Sequence, residues 1–146
     1  MVTKANMGRF AVLAAIGLCA AMPAPALAGD YLSDMLSGKS AVKGKKLKKA
    51  IEQADTHPLG SEANPVRAAM PPGQRAYLSR LRCADGQKPE FERMGSMGIG
   101  PFGNIVDGYS VRCEGSEPAS ATVYMDMYHA GYVELRAVPG FTIETP

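Results

Sequence analysis

Tryptophan is absent from this chain, histidine occurs twice and cysteine three times. With His57 and His129 as the only imidazoles, a site built on several histidines is excluded. No Cys-x-x-Cys, His-Glu-x-x-His or nucleophile-elbow spacing occurs, so the common zinc, redox and serine-hydrolase signatures are missing. The glycine-rich stretch from Gly95 to Gly103 lacks the spacing of a phosphate loop, and a strand follows where a helix N-terminus would be needed. No apolar run approaches the roughly 20 residues of a membrane-spanning helix. The sequence thus implies no cofactor and no metal.

What is present begins with an export signal. Lys4 and Arg9 are the only charges among residues 1–28. An uncharged run from Phe10 to Ala21 leads to Pro23, Pro25 and the small-residue site Ala26-Leu27-Ala28. This order predicts cleavage after Ala28 and a periplasmic or secreted protein. Cys19 offers a lipoprotein alternative, which bulky Leu18 before it disfavours. Cleavage leaves residues 29–146, 118 in number, enough for one modest core. It also leaves 14 basic and 14 acidic residues, a balance that supplies no reason to expect nucleic acid.

The mature chain keeps Cys83 and Cys113. Two cysteines 30 positions apart in an oxidising compartment predict one structural disulfide. Closing a loop of that length stabilises a fold by about 3.6 kcal/mol in the chain-entropy account.

Two regions follow the leader: a Lys-rich helical segment and linker over 29–63, and a β region over 64–146. Leu47, Ala50, Ile51 and Ala54 share one helical face, with Ser40 as a cap and His57-Pro58 as the stop. Leu32, Met35 and Leu36 suggest a short apolar turn upstream. Alternation predicts strands over Arg75–Cys83, Pro89–Met94, Ile105–Cys113, Thr122–His129 and Tyr132–Val138. The expected fold class is α+β, with the N-terminal helix packed on an antiparallel sheet of four or five strands. Consecutive strand order would place one strand between the two cysteines, so their bridge would have to pass beyond its end.

The stretches Asn64-Pro65-Val66-Arg67, Gly73-Gln74-Arg75-Ala76-Tyr77-Leu78, Leu81-Arg82-Cys83-Ala84-Asp85-Gly86 and Gly100-Pro101-Phe102-Gly103-Asn104 have a recognisable look. Over most of 64–132 the chain resembles small exported proteins of Gram-negative bacteria that have no assigned function. The resemblance implies a periplasmic home and carries no chemistry.

Three groups of side chains are candidates for function. Lys39, Lys43, Lys45, Lys46, Lys48 and Lys49 could meet an anionic surface or an acidic envelope protein; the plainer reading is a solvated face with Glu52 and Asp55 as neighbours. Arg80, Arg82 and Arg112 could share one sheet face, where guanidinium forks suit carboxylates and phosphates; the plainer reading is cross-strand pairing with Glu90, Glu92 or Glu114. In Tyr124-Met125-Asp126-Met127-Tyr128-His129, a strand would put Tyr124, Asp126 and Tyr128 on one face as a glycan or peptide platform. Met125, Met127 and His129 would take the other, a soft donor set for Cu(I) that Met94 or Met97 could join. The loop at Ala130-Gly131 decides which face is buried. Asp126 and His129, three apart, would stand on opposite faces of a strand and could not orient each other there.

The function expected from these observations is non-enzymatic binding of an envelope protein, glycan or anionic surface. The alternatives are a small hydrolase using Asp126 or His129, and a copper-handling protein.

Overall fold

Leu47, Ala50, Ile51 and Ala54 do lie on a helix, α1 (Gly44–Ala54), in a computed structural model that describes residues 41–146. The leader with Cys19, the apolar turn at Leu32, Met35 and Leu36, Lys39 and the Ser40 cap lie outside the described residues. The α1 helix starts at Gly44 without a side-chain cap, and the Asp55 N–H closes it on the Ile51 carbonyl at 2.9 Å. Only Ala54 of this helix is fully buried.

The fold is α+β, but the helix that packs on the sheet is a second one. Chain order runs α1, β1 (Val66–Arg67), α2 (Met70–Arg80), β2 (Leu81–Arg82), β3 (Glu90–Ile99), β4 (Ile105–Arg112), β5 (Ser120–Asp126) and β6 (Thr142–Ile143). The strand expected over Arg75–Cys83 is thus mostly α2. Pro71 and Pro72 occupy its first turn, where a missing N–H leaves nothing unpaired. Gln74, Tyr77 and Leu78 then fall at i, i+3 and i+4 and are buried, with Leu81 completing the stripe. Tyr77 and Leu81, four apart, fit a strand's alternation and a helix's turn equally well.

The main sheet is mixed, not antiparallel throughout. Its order is β1-β5-β4-β3, with β1 parallel to β5 and the other pairs antiparallel. Tyr109 opposite Val123 and Val111 opposite Ala121 set the face that meets α2. The core there joins Val66, Val111, Val123 and Met125 of the sheet to Tyr77, Leu78 and Leu81, closed by Val138 and Phe141 from the C-terminal segment. Gly60 marks a close approach beneath it. Its backbone takes φ +84°, its carbonyl accepts the Tyr124 N–H at 2.8 Å, and a Cβ would meet Val138 Cγ1 at 2.5 Å.

Residues 132–138 form no strand. The alternation is present but inverted: Glu134 is buried, while Val133 and Leu135 are 54% and 61% exposed. No neighbouring strand offers a ladder here, and the segment is held through the Glu134 side chain instead. The small second sheet pairs β2 antiparallel with β6. This removes the expected obstacle to the disulfide. Cys83 leaves β2 outside the main sheet, so no strand lies between it and Cys113 at the end of β4, and the two bridge with Cα atoms 5.8 Å apart.

Two outcomes test this arrangement. Replacing both cysteines by serine should lower unfolding stability by about 3–4 kcal/mol, and alkylation of the unreduced protein should add no mass. Leu78→Ala, at a site with no exposure, should cost about 2–5 kcal/mol by chemical denaturation. A loss under about 0.5 kcal/mol, the range typical of surface sites, would place Leu78 outside the core.

Candidate functional site

Three acids are buried among the described residues, Asp107, Asp126 and Glu134, and the last two border the candidate sites. Glu134 lies 3% exposed beside α2. One carboxylate oxygen, Oε1, accepts the backbone N–H groups of Leu135 and Arg136, both at 3.1 Å, and Arg136 Nε at 3.0 Å. The other, Oε2, accepts Arg136 Nη2 and the Tyr132 hydroxyl, both at 3.1 Å. Burial alone would raise this carboxyl's pKa, but the Arg136 hydrogen bonds, its positive charge and the Tyr132 hydroxyl outweigh that and hold it below the ordinary value. The same pairing, with Asp55 adding a 3.2 Å contact, raises the Arg136 guanidinium further.

The backbone around Glu134 is clamped to α2. Arg80 Nη2 donates to the Glu134 carbonyl at 2.7 Å and Nη1 to the Glu144 carbonyl at 3.1 Å. The Tyr77 hydroxyl donates to the Arg136 carbonyl at 3.0 Å. Burial, and then the nearby Glu134 charge, push the Tyr77 phenol well above its usual range, so it stays a neutral donor.

Between α2 and this clamped segment runs a groove of about 390 Å³. Its wall on the helix side is made of Ala69, Gly73 and Ala76; Tyr132 and Val133 face them. Arg67 also lines it, with its guanidinium 4.3 Å from the centre of the Tyr132 ring. Its Nη2 donates to the Tyr132 hydroxyl at 2.9 Å and stands 4.0 Å from Glu134 Oε2. A larger depression of about 610 Å³ lies at the disulfide end, walled by Gln87, Lys88, Glu90, Arg112 and Glu114. Its lining is charged and mostly exposed, and its Glu90–Arg112 pair is already closed at 3.6 Å. A mainly apolar groove bordered by a few fixed polar groups is the better match to a small-molecule site.

The second acid, Asp126, terminates β5. Its Oδ1 accepts the Tyr128 N–H at 2.9 Å, an Asx turn that ends the strand. The turn brings His129 Nε2 to 3.2 Å from Asp126 Oδ2, against the expectation that these two side chains stay apart. Asn104 Nδ2 donates to the same oxygen at 2.9 Å, and Phe102 packs edge-on to the His129 ring at 5.2 Å. The tyrosine platform therefore does not form. Asp126 is wholly enclosed, Tyr124 is half-buried on β5, and Tyr128 lies beyond the turn. Burial, then the charges of Asp107 and Asp126, raise the Tyr128 phenol.

The copper set is also divided. Met125 is fully buried in the core, and His129 is turned to Asp126 on the opposite face of β5. Met94 and Met97 lie over Gly108 from β3. Among the described residues no three His, Cys, Asp or Glu side chains are grouped to hold a metal ion.

The three arginines do not share a face. Arg80 clamps two carbonyls, Arg82 forks onto the Glu144 carboxylate, and Arg112 pairs across the ladder with Glu90. Lys43, Lys45, Lys46, Lys48 and Lys49 are exposed on and beside α1, while Asp55 pairs with Arg136 rather than with a lysine. His57 is exposed just past the helix. Sequence reasoning missed Arg67, Tyr132 and Glu134. A readable signal existed in Glu134-Leu135-Arg136, because a carboxylate followed by an arginine two residues on can collect its own backbone N–H groups.

Glu134 makes acid stability testable. Its folded pKa lies below the unfolded value of about 4.3, so its contribution is complete above that value and is lost as pH falls through the folded one. Glu134→Gln should lower stability at pH 7 by roughly 1–2 kcal/mol, the lower part of the range because Arg136 is half exposed. Denaturant midpoints measured between about pH 5 and pH 3 should fall more steeply for the wild type than for this variant. Parallel slopes would remove Glu134 from the acid transition. No protein-family model, curated protein or solved structure matches this chain.

Proposed function

We propose that this chain is an exported, periplasmic binding protein, non-enzymatic, whose ligand site is the groove between α2 and residues 131–134. The observation that carries the reading is the groove's construction. Small side chains at Ala69, Gly73 and Ala76 leave open volume beside Tyr132 and Val133. The far wall is held by hydrogen bonds from Arg80, Tyr77 and Arg136, so it is shaped before any ligand arrives. Export and the periplasmic compartment are supported by the leader over 1–28 and by the disulfide, a bond that persists in oxidising surroundings. Among the described residues, no helix is long and apolar enough to cross a membrane.

A hydrolase reading gains one observation, the approach of His129 to Asp126 at 3.2 Å. An orienting acid and an imidazole need a nucleophile or a positioned water as the third member. Among the described residues no serine, threonine or cysteine side chain is hydrogen-bonded to His129, and its ring packs on Phe102 and Tyr132. His129 Nε2 makes no hydrogen bond in spite of that approach, and Asp126 spends its own bonds on the Tyr128 N–H and on Asn104, which end β5.

The test uses residues 29–146 and an uncharged fluorophore, N-phenyl-1-naphthylamine, which brightens in apolar surroundings. The wild type should bind it saturably at one site. Ala76→Trp, at an exposed position on the groove wall, should abolish the signal while leaving the thermal midpoint within a few degrees, the shift expected from about 0.5 kcal/mol. Linear, unsaturable fluorescence in the wild type would sink the groove reading.

A further inference from the structure

We infer that the groove takes a small amphiphile, an apolar chain that ends in a carboxylate, with the carboxylate on Arg67. The inference rests on the groove being the ligand site and adds what it selects. Three observations carry it.

The first is the charge left over inside a mainly apolar lining. Among the described residues Glu134 is the only acid side chain bordering the groove, which Pro146, the last residue, also lines, and both Glu134 oxygens are occupied by Arg136, Tyr132 and backbone N–H groups. It stands 4.0 Å from Arg67, at the outer limit of an ion pair, and accepts no hydrogen bond from it. Arg80, the other cation on the wall, is committed to two backbone carbonyls. Arg67 is the cation on this wall that hydrogen-bonds no carboxylate, its ion pair with Glu134 being a 4.0 Å contact.

The second is the donor count. A guanidinium carries five N–H donors in a planar fork. Arg67 uses Nη2 on the Tyr132 hydroxyl, and its Nε and Nη1 meet no acceptor among the described residues. Its side chain is 12% exposed, so the fork is partly withdrawn from water, and the Tyr132 ring 4.3 Å away restricts its plane. A partly desolvated fork with free donors and a restricted plane is matched by a planar carboxylate.

The third is size and lining. At about 390 Å³ the groove is at the small end of ligand sites, which run from about 300 to 1,000 Å³. Beyond Arg67 it offers the methyl groups of Ala69 and Ala76, the open face at Gly73 and the side chain of Val133. That stretch of the lining suits a short hydrocarbon chain, while the polar groups of Arg80, Tyr77, Tyr132 and Glu134 that border it are already hydrogen-bonded within the fold.

Displacement of bound N-phenyl-1-naphthylamine at neutral pH tests the inference, with decanoate and decanol as competitors of equal chain length. Decanoate should compete at least about tenfold better, the ratio that one charge-assisted hydrogen-bond pair supplies. In Arg67→Met the two should compete equally, and Arg67→Lys, which keeps the charge without the fork, should fall between. Equal competition in the wild type would overturn the carboxylate preference and leave the groove as a binding site. A preference that survives Arg67→Met would overturn the assignment to Arg67. If the fluorophore binds and neither competitor displaces it, the amphiphile itself is wrong. If the fluorophore does not bind the wild type, the groove reading fails first and this one with it.

Discussion

The Glu134 carboxylate is the joint on which the C-terminal third of the fold depends. Residues 131–138 have no strand partner, and a segment without a ladder must satisfy its backbone polar groups in some other way. Glu134 does so from within. Its own side chain accepts the next two backbone N–H groups, while Arg80 and Tyr77 of α2 supply donors to the Glu134 and Arg136 carbonyls. Burying a carboxylate is unfavourable unless it is paired and fully hydrogen-bonded, and this one has five donors on two oxygens. Truncating that side chain would leave the donors of Arg136 and of two peptide groups without their partner at once.

A parallel arrangement ties α2 to the sheet. Asp107, buried on β4, accepts Gln74 Nε2 at 3.0 Å and Arg93 Nη2 at 2.6 Å, and the Gln74 carbonyl oxygen accepts the Tyr109 hydroxyl at 3.0 Å. The chain thus crosses helix, β3 and β4 through one acid. Hydrogen bonding and charge from Asp107 raise the Arg93 guanidinium, and burial raises the Tyr109 phenol. These polar ties fix α2 in rotation about its axis. With Gln74, Tyr77 and Leu78 turned to the sheet, Ala69, Gly73 and Ala76 are turned to the groove.

What the sequence made legible follows from which signals were unambiguous. The apolar spacing of Leu47, Ala50, Ile51 and Ala54 admits only a helix, and Cys83 with Cys113 admits only one intrachain bridge. β4 and β5 were readable because each has ladder neighbours and a face to bury, whereas β3, which buries no residue, was read only as far as Met94 and in fact runs to Ile99. Arg75–Cys83 was misread because Tyr77 and Leu81 satisfy both periods. Pro71-Pro72 ahead of them was the deciding helix signal. Residues 132–138 were misread for a deeper reason: alternation reports that one parity is inside, and hydrophobicity was taken to say which. Here the buried parity is the one bearing Glu134, and only its neighbours in space make that tolerable. The Asp126 turn failed in the same way, since a side chain that bonds the backbone two residues on ends a strand that periodicity would continue.

These polar ties also explain how a small chain keeps an open groove. Interiors close-pack, and a volume beside an 11-residue helix would ordinarily be filled by a larger side chain or by inward movement of the adjoining segment. Neither happens here. The helix cannot roll, because Gln74 is held by Asp107 and Tyr109, and residues 131–136 cannot close in, because Arg80 and Tyr77 set their distance. Arg67 is held in the lining by the Tyr132 ring, in ion-pair range of Glu134 at 4.0 Å but without a hydrogen bond to it. The same buried acid that holds the wall is therefore the reason the arginine beside it remains available. Because Glu134 takes its charge-assisted bonds from Arg136, on the far side, the cation facing the open volume is left to something that enters it.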